Sequence, residues 1–167
     1  MPPQNQWRVT LANETIHLAV LDGLEVRYLE KVSGHGLITR PSRVAGRMPL
    51  HCTATGKVLL AFGARLLVDE VMATPMERLT PHAVTAPGLL LQELARAREA
   101  GYAVEYEQTR IGYLSVAIPL VGVTGLTMGA LSVTAPTFRA DVKKFAKLLG
   151  LVSRRITKTI TAMSTDT

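Results

Sequence analysis

The chain predicts an α+β domain in which helices pack on an antiparallel sheet and a long loop covers a pocket. Two observations carry this expectation. Strand-like and helix-like stretches come in runs: a strand pair, three helical segments, three strands and a closing helix. Parallel βαβ winding would alternate them instead. Within the strands, apolar and polar or small residues alternate with period two, so each strand offers one face to a core and another to something else. The 167 residues, 47% apolar and 19% charged, suffice for one hydrophobic core. No repeat or second core is apparent, and residues 1–167 read as a single domain.

In chain order, Ile16, Leu18 and Val20 alternate up to Asp22-Gly23, and Val26, Tyr28 and Glu30 alternate after it. Residues 14–32 therefore read as a hairpin on a tight Asp-Gly turn. Residues 33–50 carry three glycines, two prolines and three arginines without an acid, and read as a long connection with a short strand inside it. Thr53 is a good N-cap for a helix through ATGKVLLAF, whose apolar side includes Ala54, Val58, Leu59 and Phe62. Gly56 within it suggests close packing against the sheet. ARLLVDEVM follows as a short helix ended by Thr74-Pro75. Residues 88–100 form an amphipathic helix with Leu90, Leu94 and Ala97 inward and Gly101 as its cap. Strands are expected at 102–107, 113–121 and 126–135. Phe138, Val142, Phe145, Leu149, Val152, Ile156, Ile160 and Met163 then recur at helical spacing.

Charge and cysteine content exclude several classes. The net charge of +6 resides in residues 139–158, which hold seven bases and one acid, so the remainder is neutral and the basic balance is not the footprint of a nucleic-acid-binding domain. The bases lie on the closing helix opposite its apolar stripe, which reads as a charged side in water. Cys52 is the one cysteine and cannot form an internal disulfide, which makes the cytosol the default compartment. The start MPPQNQWRV has no signal-peptide pattern. Residues 111–138 lack charge, but Pro119, Gly122, Gly125 and Gly129 break them into two strands and a turn rather than a membrane span.

Catalytic and metal readings find little. His17, His35, His51 and His82 are scattered without metal spacing, and no nucleophile elbow, phosphate loop or dinucleotide fingerprint is present. His51 and Cys52, adjacent on an assumed strand, would point apart. No cofactor is expected.

Strand alternation instead exposes an unusual surface. Tyr113, Ser115, Ala117 and Pro119 share one face and Leu114, Val116, Ile118 and Leu120 the other; in the next strand Ala130, Ser132 and Thr134 oppose Leu131 and Val133. The bulky face suits a helix, whereas the small hydroxylated face cannot fill the space above it. A loop, water or a ligand must do so. Glu105 and Glu107 are placed to face the same volume, and free N–H groups of Ala54 and Thr55 at the helix start suit an anion. The pattern sketches a pocket for a small polar acid. A ligand-free interaction module filled by its own side chains, and a small hydrolase built on Ser115, remain as alternatives.

Three blocks in order, NETIHLAVLDGLEVRYLEKVSG, RVAGRMPLHCTATGKVLLAF and GYAVEYEQTRIGYLSVAIPL with ALSVTAP, resemble the effector-binding domain of IclR-type transcriptional regulators. The resemblance runs from about Asn13 into the last helix. It implies a GAF-like fold that binds a small metabolite, often a carboxylic or aromatic acid, as a small organic acid effector, in a cytoplasmic homodimer or homotetramer, with DNA reached only through a helix-turn-helix domain that is missing here. No enzyme activity, cofactor or membrane is implied. Matching motifs carry effector contacts to Leu37, Arg40 and Met48 in the loop, Ala54 and Thr55 at the helix start, and Glu105, Ser115, Ser132 and Thr134 on the sheet. Two positions depart from better-known members, which have Cys at Ser115 and Asp at Glu105. Arg40, apolar in some relatives, or Arg43 would be able to grip a carboxylate if turned inward.

Overall fold

The computed structural model describes residues 14–32, 38–39 and 46–165. Seven strands lie among them: β1 (Thr15–Asp22), β2 (Glu25–Val32), β3 (Ile38–Thr39), β4 (Arg47–Pro49), β5 (Ala103–Tyr106), β6 (Tyr113–Val121) and β7 (Thr127–Pro136). The helices are α1 (Ala54–Ala61), α2 (Arg65–Ala73), α3 (Pro87–Ala100) and α4 (Val142–Thr165). All strand pairs are antiparallel, in the order β3-β2-β1-β7-β6-β5, with β4 also on β2. Since β1 takes the other edge of β2, β3 and β4 follow one another along its outer edge. The β1–β7 pairing joins the N-terminal hairpin to the C-terminal one, as the run of strands, helices, strands requires.

The two sheet faces do different work. Leu114, Val116 and Ile118 of β6 and Leu131, Val133 and Ala135 of β7 pack against Phe145 and Leu149 of α4. On the opposite face, Ala19, Ala103, Ala117 and Ala130 form a small-residue floor on which α1, backed by α2 and α3, comes close. Every residue of α1 is buried. Its start is fixed by Thr53, whose hydroxyl accepts from Gly56 N–H at 3.0 Å and donates to the Pro49 carbonyl at 2.7 Å. A helix buried all round must still satisfy its one cation: Lys57, 1% exposed, pairs with Glu93 of α3.

Four expectations need correction. Gly56 does not make room for the sheet; a Cβ there would meet the Leu50 backbone, with Leu50 Cα at 2.5 Å, so the glycine lets the preceding turn fold back onto α1. Phe138 is not part of the closing helix stripe. It lies in a single 3₁₀ turn, 85% exposed, and α4 begins only at Val142. Met163, at the far end of the stripe, is also exposed because α4 outruns the sheet beneath it. His51 and Cys52 occupy the turn before α1 rather than a strand; His51 Nε2 meets the Glu77 carbonyl at 2.7 Å, and Cys52 is fully buried.

Candidate functional site

Beyond the alanine floor, the same sheet face carries hydroxyls, and α1 does not extend over them. The gap is a cavity of about 580 Å³, within the range of small-molecule sites. Its floor is Ser115 of β6 and Ser132 and Thr134 of β7; β1 adds Thr15 and His17, which pair in register with Thr134 and Ser132. Tyr28 and Lys31 of β2 and Met48 of β4 form one wall, and Thr53, Ala54 and Thr55 at the start of α1 another. Glu105, with Thr109, Arg110 and Tyr113 at the β5–β6 turn, closes the third side.

Of the residues singled out from sequence, Met48, Ala54, Thr55, Glu105, Ser115, Ser132 and Thr134 all line this one cavity. Leu37, Arg40 and Arg43 fall outside the described residues, as does most of the connection expected to cover the pocket. Glu107 does not face it. Its backbone has φ +52°, and its carboxylate accepts from Gly112 N–H at 2.7 Å, closing the turn between β5 and β6. Strand pairing ends at Tyr106, so the alternation that would have pointed Glu107 inward has already lapsed.

The polar groups are arranged with few conflicts. Ser115 Oγ and Thr134 Oγ1 lie 2.7 Å apart across the β6–β7 pair. The Tyr28 hydroxyl meets Thr55 Oγ1 at 3.1 Å, and burial pushes the phenol pKa up to about 12. His17 leans on the Tyr28 ring, centroids 4.6 Å apart; burial, aided by the charge of Lys31, lowers its pKa to about 4 and keeps the imidazole neutral. Glu105 is 1% exposed, and burial raises its pKa. Gln108 N–H at 2.8 Å and the Thr109 hydroxyl at 3.0 Å hold its two oxygens. The acid thus ties the β5–β6 turn to the cavity wall. Gln108 passes the connection on to Glu93, its amide 3.2 Å from Glu93 Oε1.

At α1 the Thr53 side chain takes only the Gly56 N–H, so the amides of Ala54 and Thr55 have no acceptor among the described residues. Lys31 and Arg110 add two cations to the lining, Arg110 stacked 4.2 Å from the Tyr113 ring centroid. Open amides and cations suit an anion. Among the described residues no His, Cys, Asp and Glu group could hold a metal ion.

Sequence reasoning did not name Thr15, His17, Tyr28, Lys31, Thr53, Thr109, Arg110 or Tyr113 as lining residues. Thr15 and His17 were legible by the argument used for β6 and β7, since they alternate with Ile16 and Leu18. Lys31 was not. A bulge in β2 pairs Ala19 with Tyr28 but Leu18 with Glu30, so Glu30 leaves the face of Tyr28 and Lys31 takes its place.

The fold and this cavity define a GAF-like ligand-binding domain. The model of the family described as bacterial transcriptional regulator IclR, C-terminal, matches residues 8–160. The chain belongs to the IclR family, whose matching members are transcriptional regulators and not enzymes. The HTH-type transcriptional regulator KdgR of Dickeya chrysanthemi is 35% identical over 130 residues, 77% of this chain and 43% of that protein. XynR of Escherichia coli is 34% identical over 134 residues, 80% of this chain and 53% of its own. The chain therefore spans about half the length of the curated relatives it matches. Among solved structures, the C-terminal domain of Escherichia coli KdgR superposes with TM-score 0.77 and 30% identity, covering 89% of this chain and 88% of that one. An IclR homolog from Microbacterium hydrocarbonoxydans, complexed with 4-hydroxybenzoate, gives TM-score 0.83 and 30% identity over 96% of this chain and 66% of its own.

Proposed function

We propose that this domain senses a small organic acid and that occupancy of the cavity controls DNA binding by a helix-turn-helix domain of the same regulator. The observation that carries the reading is the convergence of the open Ala54 and Thr55 amides with Met48, Glu105, Ser115, Ser132 and Thr134 on one cavity. The acid's carboxylate sits at the start of α1, and its remaining polar atoms meet the hydroxyls of β6 and β7. That a related IclR homolog holds a hydroxylated carboxylic acid supports the class of ligand. A ligand shifts such a regulator only through its differential affinity for two arrangements. Glu105 sits where this difference would arise, because it touches the cavity and anchors the β5–β6 turn. Assembly into a homodimer or homotetramer belongs to the same reading. It is supported by the exposed apolar tip of the β6–β7 hairpin, with Val123, Leu126 and Met128 all more than half exposed.

The test is a thermal-shift and calorimetric screen of small carboxylic acids on the wild type and on Ser115→Leu, which fills the floor. At a hundredfold excess over its Kd, a true effector stabilises by about 2.7 kcal/mol, and Ser115→Leu should lose that gain. A flat screen together with concentration-dependent assembly would replace sensing with a ligand-free interaction module. Among the described residues no helix is long and apolar enough to cross a membrane.

A further inference from the structure

We propose that the cavity is built for a polyhydroxylated carboxylic acid, an aliphatic acid of the sugar-acid type, in preference to an aromatic one. This rests on the sensing role proposed above and names the class of molecule sensed. Nine of the fifteen described residues that line the cavity carry a hydroxyl, and they stand on every wall; Met48 and Ala54 are the lining residues with wholly apolar side chains. A hydroxyl both donates and accepts. A ligand lying against such groups must answer in kind wherever it meets them, as a chain of ligand hydroxyls does and the face of an aromatic ring does not.

Three local details point the same way. Ser132 is 2% exposed, and its hydroxyl has no partner among the described residues. It opens onto the cavity in the middle of the floor, between His17 of β1 and Ala117 of β6 in register. A ring laid over it would bury an orphaned hydroxyl; a ligand hydroxyl would pair it. Ser115 also hydrogen-bonds the Glu105 carboxylate, so its 2.7 Å contact with Thr134 uses the Thr134 proton and leaves a Thr134 lone pair to accept from a ligand hydroxyl. His17, neutral and without a hydrogen-bond partner among the described residues, offers one donor and one acceptor from the same ring. The anionic end is provided for separately, by the α1 amides and by Lys31 and Arg110.

The experiment is titration calorimetry of this chain with a set of aldonic and uronic acids, with hexanoate as a hydroxyl-free chain, and with benzoate and 4-hydroxybenzoate. At least one hydroxylated acid should bind tighter than hexanoate and both benzoates by at least about tenfold, because a site built for ligand hydroxyls rejects analogues that lack them. Ser132→Ala should weaken that acid about tenfold and leave hexanoate unchanged; Thr134→Val, which keeps the side-chain shape, gives a second reading if Ser132→Ala folds poorly. Tighter binding of either benzoate, or equal binding of hexanoate, would overturn the proposed class and leave acid sensing intact. No binding by any of these acids would overturn both.

Discussion

Removal of Glu93 isolates one buried charge and gives a prediction with a calculable size. Lys57 is 1% exposed in the middle of α1; Glu93 is the acid paired with its ammonium group, and the buried Glu105 carboxyl attracts it more weakly without pairing with it. In the native domain burial already outweighs that attraction, so the Lys57 pKa lies below its ordinary 10.5. Glu93→Leu leaves the ammonium unpaired in a dry setting, which typically costs about 3–5 kcal/mol. The cost has a ceiling, because the amine will deprotonate rather than bear more. At pH 7 that ceiling is roughly 4.8 kcal/mol, at about 1.4 kcal/mol per pH unit below 10.5. For a domain of this size, the melting temperature should fall on the order of 10 °C. The sign of the pH dependence follows. Below 10.5 the unfolded chain keeps the proton and the folded variant gives it up, so the unfolded state binds more protons and stability rises with pH. The deficit against wild type should therefore shrink between pH 7 and pH 9. Lys57→Met combined with Glu93→Leu removes both charges and should return to within about 1 kcal/mol of wild type. Thermal melts of all three proteins at the two pH values decide the matter. A Glu93→Leu protein that melts within about 2 °C of wild type at pH 7 would refute the reasoning, as would a deficit that stays constant at pH 9.

Other consequences are more local. The unfolded chain takes up a proton on His17 near pH 6.5 and the folded one only near 4, so stability should fall as pH drops through that interval. The loss is a few kcal/mol at most, about 1.4 kcal/mol for each pH unit between the two midpoints, and is reduced by the partial exposure of the ring to the cavity. His17→Gln should flatten the curve, and an NMR midpoint for His17 near 6.5 would sink the claim. Gly56→Ala and Gly150→Ala should act in opposite directions although both glycines are helical. A Cβ at Gly56 meets the Leu50 backbone, whereas at Gly150 it meets nothing within 4 Å. The first should lower the melting temperature through overpacking and the second raise stability by roughly 0.5–1 kcal/mol; stabilisation by Gly56→Ala would show that the turn before α1 can yield. Phe145→Ala should cost about 3–5 kcal/mol and Phe138→Ala less than about 0.5, since one is 4% and the other 85% exposed; equal costs in urea denaturation would mean that the exposed ring packs in solution.

Much of the fold was legible because its strands obey simple alternation and its helices begin and end on recognisable residues. Thr53 caps α1 and Gly101, at φ +84°, ends α3 as their positions suggested. The two faces of the β6–β7 hairpin could be assigned residue by residue, and with them Ser115, Ser132 and Thr134. What escaped depends on partners remote in sequence. The bulge that turns Lys31 toward the cavity is a property of the β1–β2 register, invisible in β2 alone. Nothing within α1 marks Lys57 as buried; α3, remote in sequence, covers it and brings Glu93 to meet it. Glu107 follows Glu105 by two residues, yet the strand ends between them. Phe138 has the right spacing for the α4 stripe, but Pro136 closes β7 and a 3₁₀ turn intervenes before regular helix can start.

The hydroxyls of the floor also explain how the domain tolerates so large a gap. If the 580 Å³ space were a dry apolar void, the penalty at about 24 cal/mol per Å³ would be on the order of 14 kcal/mol, comparable with the whole stability of a typical domain. No sequence could hold such a void open against collapse. A lining of serines, threonines, neutral His17 and satisfied Glu105 changes the balance, because water or a polar ligand can occupy the space while keeping its hydrogen bonds. The alanines at positions 19, 103, 117 and 130 meet the opposite need, letting α1 approach where no space is wanted. One strand face is thus divided along its length into a packed half and a hollow half, and the boundary falls at the start of α1. The same division places the open amides of Ala54 and Thr55 at the edge of the cavity, so the step that spares the core its void also supplies the anion end of the site.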